Sequence, residues 1–247
     1  MISSIGGLPG KGKNVLATHI AISSYKKYNN IIARIIRKIK HQDTWINNIY
    51  SSYPILLNKR KKIYSNSVSL YDLDGSYKFL PDAVIIIDEV QSFYDSDEFK
   101  DFPKSIAVFN QFHRHFGIKD IYYISQHPSR IVKKLRNLMS QFIKIRSFYK
   151  IPFFNIGVMY YSVYYEFDDY GKWHHPKKEA KTYDVKNVLC TFHLKPVFKS
   201  YDSKYLKVLN SSVPLYRKGQ FNSLNLSEDQ IYEIYGNMWE YNTKHKG

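Results

Sequence analysis

The first residues whose types and spacing suggest chemistry are Gly7-Leu8-Pro9-Gly10-Lys11-Gly12-Lys13-Asn14. They fit the pattern G-x-x-x-x-G-K, with Asn where Ser or Thr usually closes it. Glycines let successive backbone N–H groups curl around phosphate oxygens. The helix that follows favours negative charge at its start, and the lysine reaches the β and γ oxygens. Gly7, Gly10, Lys11, Gly12, Lys13, Asn14 and Val15 are therefore the candidate nucleotide-binding residues, with ATP as the expected ligand. Ser or Thr would offer a hydroxyl to Mg²⁺. At Asn14 an amide oxygen stands in its place, a longer and neutral ligand. Taken alone, the segment also reads as a glycine-rich turn.

The second signal is Val84-Ile85-Ile86-Ile87-Asp88-Glu89, an apolar run ending in two carboxylates. A buried strand that ends in Asp places this carboxylate beside the phosphate loop, so Asp88 joins Asn14 as a candidate metal ligand. Glu89 is then placed to orient or deprotonate an attacking water. The plain alternative is a strand running into a solvated acidic turn. Gln126 directly follows the apolar run 121–125, and an amide at a strand tip can sense a γ-phosphate. Arg136 completes the candidate catalytic set with Glu89 and Gln126, as a cation donated to the nucleotide of a neighbouring subunit. Its plain reading is a solvated helix face shared with Lys133 and Lys134. Arg114 reads as a helix-end or DNA contact, so within one subunit no arginine is expected beside the three motifs. His174-His175 and His113-x-His115 have poor spacing for one metal site and read as surface or helix histidines.

These groups need elements to hold them. Residues 2–5 suit a short strand, and helical character runs from Lys13 toward Tyr28. Residues 31–40 form an amphipathic stretch with Ile31, Ile32, Ile35, Ile36 and Ile39 on one face, expected to pack on a sheet; a basic arm for nucleic acid is the other reading. A strand is expected over 48–57, followed by the basic turn Lys59-Arg60-Lys61-Lys62. Ala83–Ile87 has the texture of a strand buried on both faces of a parallel sheet. A helix is expected over 105–116, stopped by Gly117, then a strand over 121–125 and a helix over 129–139. Strands thus alternate with helices, which predicts an α/β fold of the P-loop NTPase kind, with a mostly parallel central sheet flanked by helices. After the core at 1–140 the texture predicts a β-rich extension over 141–203, with strands at 141–149 and 156–167 and a turn at Asp168-Asp169-Tyr170-Gly171. The tail, 204–247, holds one amphipathic helix: Ser227 and Gln230 fit a capping box, and Ile231, Ile234, Tyr235, Met238 and Trp239 form its apolar stripe.

The whole chain is 247 residues long, 44% hydrophobic and 23% charged, enough for one sizeable α/β core and too apolar for a disordered chain. Its net charge of +16, from 37 Lys and Arg against 21 Asp and Glu, favours a polyanionic partner, either nucleic acid or an anionic membrane surface. One cysteine, Cys190, excludes an internal disulfide and a cysteine-built zinc site. No signal peptide is evident. The uncharged stretch 151–165 is too short for a membrane span and is broken by Pro152, Asn155 and Gly157, so the chain reads as soluble or peripheral.

Taken in order, these motifs resemble the Zot (zonular occludens toxin-like) family of filamentous phage assembly ATPases, which is related to the FtsK/HerA translocases. The matching phrases are Gly6-Gly7-Leu8-Pro9-Gly10, the turn Ser52-Tyr53-Pro54 after a strand, and Asp88-Glu89-Val90-Gln91. They continue with His113-Arg114-His115-Phe116-Gly117, Ile124-Ser125-Gln126-His127-Pro128-Ser129 and Arg136. Pro196-Val197-Phe198-Lys199-Ser200-Tyr201-Asp202-Ser203 closes the likeness. The resemblance implies an ATP- and Mg²⁺-dependent homo-oligomer, a ring by expectation, in the host cytoplasm and peripheral at the inner membrane. Its implied partners are viral single-stranded DNA or coat proteins, and the membrane surface or a membrane protein. Two departures stand out. Asn14 replaces a hydroxyl, and no membrane-spanning segment follows the ATPase domain, which leaves attachment to a partner or to the tail helix. Two other readings stay open: a nucleotide-gated binding protein with little turnover, motivated by Asn14, and a cytoplasmic DNA packaging or mobilisation translocase.

Overall fold

A computed structural model describes residues 1–92, 102–151, 153–172 and 185–201. The expected tail helix and the His174-His175 pair lie outside these residues.

The chain alternates as the apolar runs require. Strand β1 (Ile2–Gly6) leads through the glycine loop into α1 (Lys13–Tyr28) and α2 (Ile31–Ile39). The short strands β2 (Ile49–Ser51), β3 (Leu56–Asn58), β4 (Ile63–Tyr64) and β5 (Asn66–Ser67) follow, then β6 (Ala83–Ile87), α3 (Lys104–Gln111), β7 (Ile118–Ser125) and α4 (Lys133–Arg136). The last part comprises β8 (Gln141–Ile151), β9 (Ile156–Tyr164), α5 (Phe167–Lys172), β10 (Val185–His193) and α6 (Leu194–Phe198).

Eight strands form one sheet in the order β10-β9-β8-β1-β7-β6-β2-β5, and β3 pairs with β4 apart from it. From β8 to β5 every pairing is parallel, while β8–β9 and β9–β10 are antiparallel. Strands β1 and β6 are buried along their whole length because helices cover both faces. Val84 and Ile86 join Val15, Leu16, Ala21 and Ile22 of α1 on one face. Ile85 and Ile87, one residue out of phase, join Ile106, Phe109, Leu135 and Tyr170 from α3, α4 and α5 on the other.

Several expectations change in the fold. β8 lies beside β1 in parallel register, with Ile5 opposite Ile143, so the central sheet continues across residue 140. The strand expected over 48–57 is two strands. Ser52 gives the last ladder bond to β6, its N–H donating to the Ile86 carbonyl at 2.9 Å, and Pro54 has no N–H to continue that ladder. The helix expected over 129–139 shrinks to α4, because Ile131 and Val132 are extended and almost wholly buried. Burying two β-branched side chains outweighs the local helical pattern. α3 stops at Gln111, leaving Phe112 and Phe116 partly exposed, and Gly117 (φ 77°) closes the segment. The turn at 168–171 becomes part of α5, anchored by the buried Tyr170.

α2 forms as expected but faces the other way. Its isoleucines point to solvent, and Arg37 is the buried residue. The Arg37 guanidinium donates to Asn29 Oδ1 at 3.2 Å, to the Thr44 carbonyl at 3.1 Å and to the Tyr28 carbonyl. Asn30 caps the helix, accepting from the Ala33 N–H at 2.7 Å. A hydrogen-bonded arginine therefore sets the orientation, although burying each isoleucine would contribute about 1.5–3 kcal/mol. Among the described residues no helix is long and apolar enough to cross a membrane.

Candidate nucleotide site

The ends of β1, β7 and β6 meet at one edge of the sheet, and the sequence motifs sit on those ends. The loop after β1 is tied to the end of β7 by the Gly7 N–H, which donates to the Gln126 carbonyl at 3.2 Å. Gly10 (φ 76°) and Gly12 (φ 91°) take the left-handed backbone that lets the loop turn back over the start of α1. A Cβ at Gly10 would meet nothing within 4 Å, which leaves the cradle open to an anion. No side chain caps the N-terminus of α1, so its first-turn N–H groups face the loop with their partial positive charge.

Lys13 is buried at the start of that helix, and its ammonium donates to the Gly7 carbonyl at 2.8 Å and the Leu8 carbonyl at 3.4 Å. Burial lowers its pKa, while the Glu89 and Asp88 carboxylates push it back up. Asp88, at the tip of β6, is also buried. Burial and the neighbouring Glu89 charge raise its pKa to about 7, opposed by the hydrogen bonds of Asn14 and the Glu89 N–H and by the Lys13 charge. The Asn14 amide donates to Asp88 Oδ2 at 2.5 Å, so the two candidate metal ligands are in direct contact. The Asp88 N–H donates to Ser52 Oγ at 2.8 Å, which fixes the strand tip to the turn after β2. Glu89 follows with φ 46°, a left-handed backbone unusual for a glutamate, and accepts a hydrogen bond from the Gln91 amide.

A cavity of about 770 Å³ joins these groups, lined by Gly10, Gly12, Lys13, Asn14, Asp88, Glu89 and Gln126, with Val15 at its edge. Lys11 is exposed on the loop, and Gly7 shapes the turn behind it. The cavity's remaining wall was not foreseen: Phe148 and Lys150 come from β8, Phe198 from α6, and Tyr201 follows it. The expectation that no arginine of the same subunit adjoins the motifs is not met. The exposed Arg130 donates to Gln126 Oε1 at 3.2 Å. Its position four residues after Gln126 was the available signal. Arg136 lies outside the cavity lining. Its guanidinium donates to the Ser129 carbonyl at 3.1 Å and stacks over the Phe167 ring at 4.2 Å. His113 is buried in the turn between α3 and β7 and bonded to the Asn110 carbonyl at 2.9 Å, and no three-residue cluster of metal-binding side chains occurs among the described residues.

A phosphate-cradling loop between a central parallel strand and a helix, facing an Asp-Glu pair two strands away, defines the P-loop NTPase fold. The chain belongs to the family described as Zonular occludens toxin (Zot), whose sequence profile matches residues 1–204. Its fold is similar to the N-terminal domain of zonular occludens toxin from Neisseria meningitidis, at 18% identity and a TM-score of 0.51, over 81% of this chain and 97% of that one. A more distant likeness is to the genome packaging NTPase B204 from Sulfolobus turreted icosahedral virus 2 in complex with ATP-gammaS. The identity there is 13% and the TM-score 0.40, over 75% of this chain and 95% of that one. No curated protein matches the chain in sequence.

Proposed function

We propose that this chain is a phage-encoded P-loop ATPase that powers the assembly and extrusion of filamentous virions, or the export of their single-stranded DNA, at the host inner membrane. The observation that carries the enzymatic part is the convergence of Lys13, Asn14, Asp88 and Glu89 on one cavity. Membership of the Zot family supports the biological part.

In this reading the loop N–H groups and Lys13 hold the β and γ phosphates of ATP, and Phe148, Phe198 and Tyr201 offer the base an apolar wall. Asn14 and Asp88 are the residues that would hold Mg²⁺, which supplies charge neutralisation on the phosphate oxygens. For that, Asp88, whose pKa burial and the Glu89 charge hold above the usual carboxylate range, would serve as the carboxylate. Glu89 takes the proton of the attacking water as its oxygen adds to the γ-phosphorus and the bond to the β–γ bridging oxygen breaks, so that ADP and phosphate leave; Gln126 orients that water.

Two variants test the reading with a fluorescent ATP analogue and a steady-state hydrolysis assay, each run with and without single-stranded DNA. Lys13→Ala removes a charge-assisted contact to phosphate and is expected to weaken binding by about 10-fold or more. Glu89→Gln is expected to keep binding while hydrolysis falls by about 10²–10⁴-fold. Unchanged affinity in Lys13→Ala would remove the phosphate-loop assignment. Hydrolysis at the parent rate in Glu89→Gln would remove the assigned base.

A further inference from the structure

The five isoleucines of α2 form the largest outward apolar feature on any described helix: Ile31, Ile32 and Ile39 are 70%, 70% and 71% exposed, and Ile35 and Ile36 are 53% and 47% exposed. At about 100° per residue they share one continuous arc of the helix, bordered by Lys38 on one side and Lys40 on the other. Both lysines are exposed, and the helix carries no carboxylate. Its opposite face is fixed to the protein through Arg37, and Arg34 stacks over the Trp45 ring at 4.3 Å. Lys61 stacks over the same ring at 4.1 Å, which brings the basic turn Lys59-Arg60-Lys61-Lys62 alongside. Lys26 and Lys27, in the last turn of α1, add two more exposed cations. The nearby acidic residues Asp82 and Asp120 line a polar hollow at the border of this face together with Lys27, Ile36 and Lys40. Asp43 is the exposed carboxylate of the connecting loop.

We propose that α2 and the basic residues around it are a docking surface for an anionic lipid bilayer. Isoleucines that enter the acyl boundary while flanking lysines meet anionic headgroups are the arrangement of a helix lying in the membrane interface. The other occupants fit less well. Nucleic acid would pair the lysines but leave the isoleucine arc uncovered. A second copy of the same face would set Lys38 and Lys40 against like charges. Placement agrees with docking: α1 runs from the phosphate loop to Tyr28, so α2 sits by the starts of β2, β6 and β7, the sheet edge opposite the nucleotide cavity. A chain seated this way keeps its cavity turned away from the bilayer. The inference deepens the membrane placement proposed above, yet vesicle binding needs no nucleotide, so the two fail separately.

The test is co-sedimentation of the full chain with vesicles of phosphatidylcholine containing about a third phosphatidylglycerol, against phosphatidylcholine alone. The full chain is expected to bind the anionic vesicles at least about 10-fold more tightly, with binding weakened by salt. Ile32→Ser with Ile35→Ser is expected to lower that binding by about 10-fold or more, and Lys38→Glu with Lys40→Glu to abolish the preference for anionic lipid. ATP-analogue affinity, measured at the far sheet edge, is expected to stay unchanged in both variants and shows that they fold. Failure of the full chain to bind anionic vesicles overturns the proposal, including the case in which the acidic, apolar stretch 227–241 of the same chain covers α2. Equal binding by the isoleucine variant overturns it too. A changed oligomeric state in that variant with vesicle binding intact would assign the face to a second copy instead.

Discussion

Asp88 illustrates how one side chain links the fold to the chemistry. It is buried at the tip of β6, receives hydrogen bonds from Asn14 and the Glu89 N–H, and still has its pKa raised from 3.8 to about 7. Between those two values the folded chain binds a proton that the unfolded chain has lost, so this group makes stability fall as pH rises from about 4 through about 7. The melting temperature of the nucleotide-free protein is therefore expected to drop across that window, and Asp88→Asn should flatten the decline. Thermal denaturation of both proteins in a pH series measures it. Stability that rises over the same window because of Asp88 would mean that its carboxylate is charged in the fold. At this scale Lys13, Asp88 and Glu89, which the sequence singled out beside glycines and at a strand end, line one cavity. The sequence marked Ser52 only within the turn Ser52-Tyr53-Pro54, not as the acceptor of the Asp88 N–H, and it did not reveal Arg130, which lies in a tight turn that the local pattern presents as helix.

At the scale of elements, the loop depends on what packs behind it. A Cβ on Gly12 would sit 3.2 Å from Met159 Cε and 3.5 Å from Phe148, in a residue with φ 91°. Gly10 has a similar backbone, φ 76°, but open space around it. Each Gly→Ala change costs about 1–2 kcal/mol for the left-handed backbone, and Gly12→Ala adds a contact that β9 and β8 must yield to. Urea denaturation is expected to show Gly12→Ala as the less stable of the two; equal midpoints would mean that Met159 moves aside freely. The same packing explains what the sequence left hidden. An apolar run marked β6 directly, and the run 121–125 marked the end of β7 but not its polar start at Lys119-Asp120. The parallel seat of β8 beside β1 depends on a partner far away in the chain, which no local period records. The outward turn of α2 was hidden for a similar reason: the buried bonds of Arg37, not the isoleucine stripe, set its orientation.

Across the whole molecule, the question is where the final cation for phosphoryl transfer comes from. Such a cation contributes about 10³–10⁵ in rate in related chemistry. Arg136 is held against Ser129 and Phe167 on the outside of the cavity, whereas Arg130 is exposed beside Gln126. If Arg136 serves a neighbouring subunit, an Arg136→Ala protein mixed with a Glu89→Gln protein is expected to regain part of the activity that each lacks alone. If Arg130 serves its own subunit, Arg130→Ala mixed with Glu89→Gln stays inactive. Activity per chain that holds constant down to a proven monomer would exclude a subunit-supplied cation altogether.

The continuity of the sheet past β8 also gives the protein a built-in optical handle. Cys190, the one cysteine, lies on β10 directly opposite Met159 of β9, the residue whose methyl approaches Gly12. The thiol is half-buried, and burial raises its pKa, so a maleimide dye should attach slowly and at a single place. A dye there sits three strands from β1 but directly across from Met159, which packs against the loop, so its emission can follow loop rearrangement without a mutation in the site.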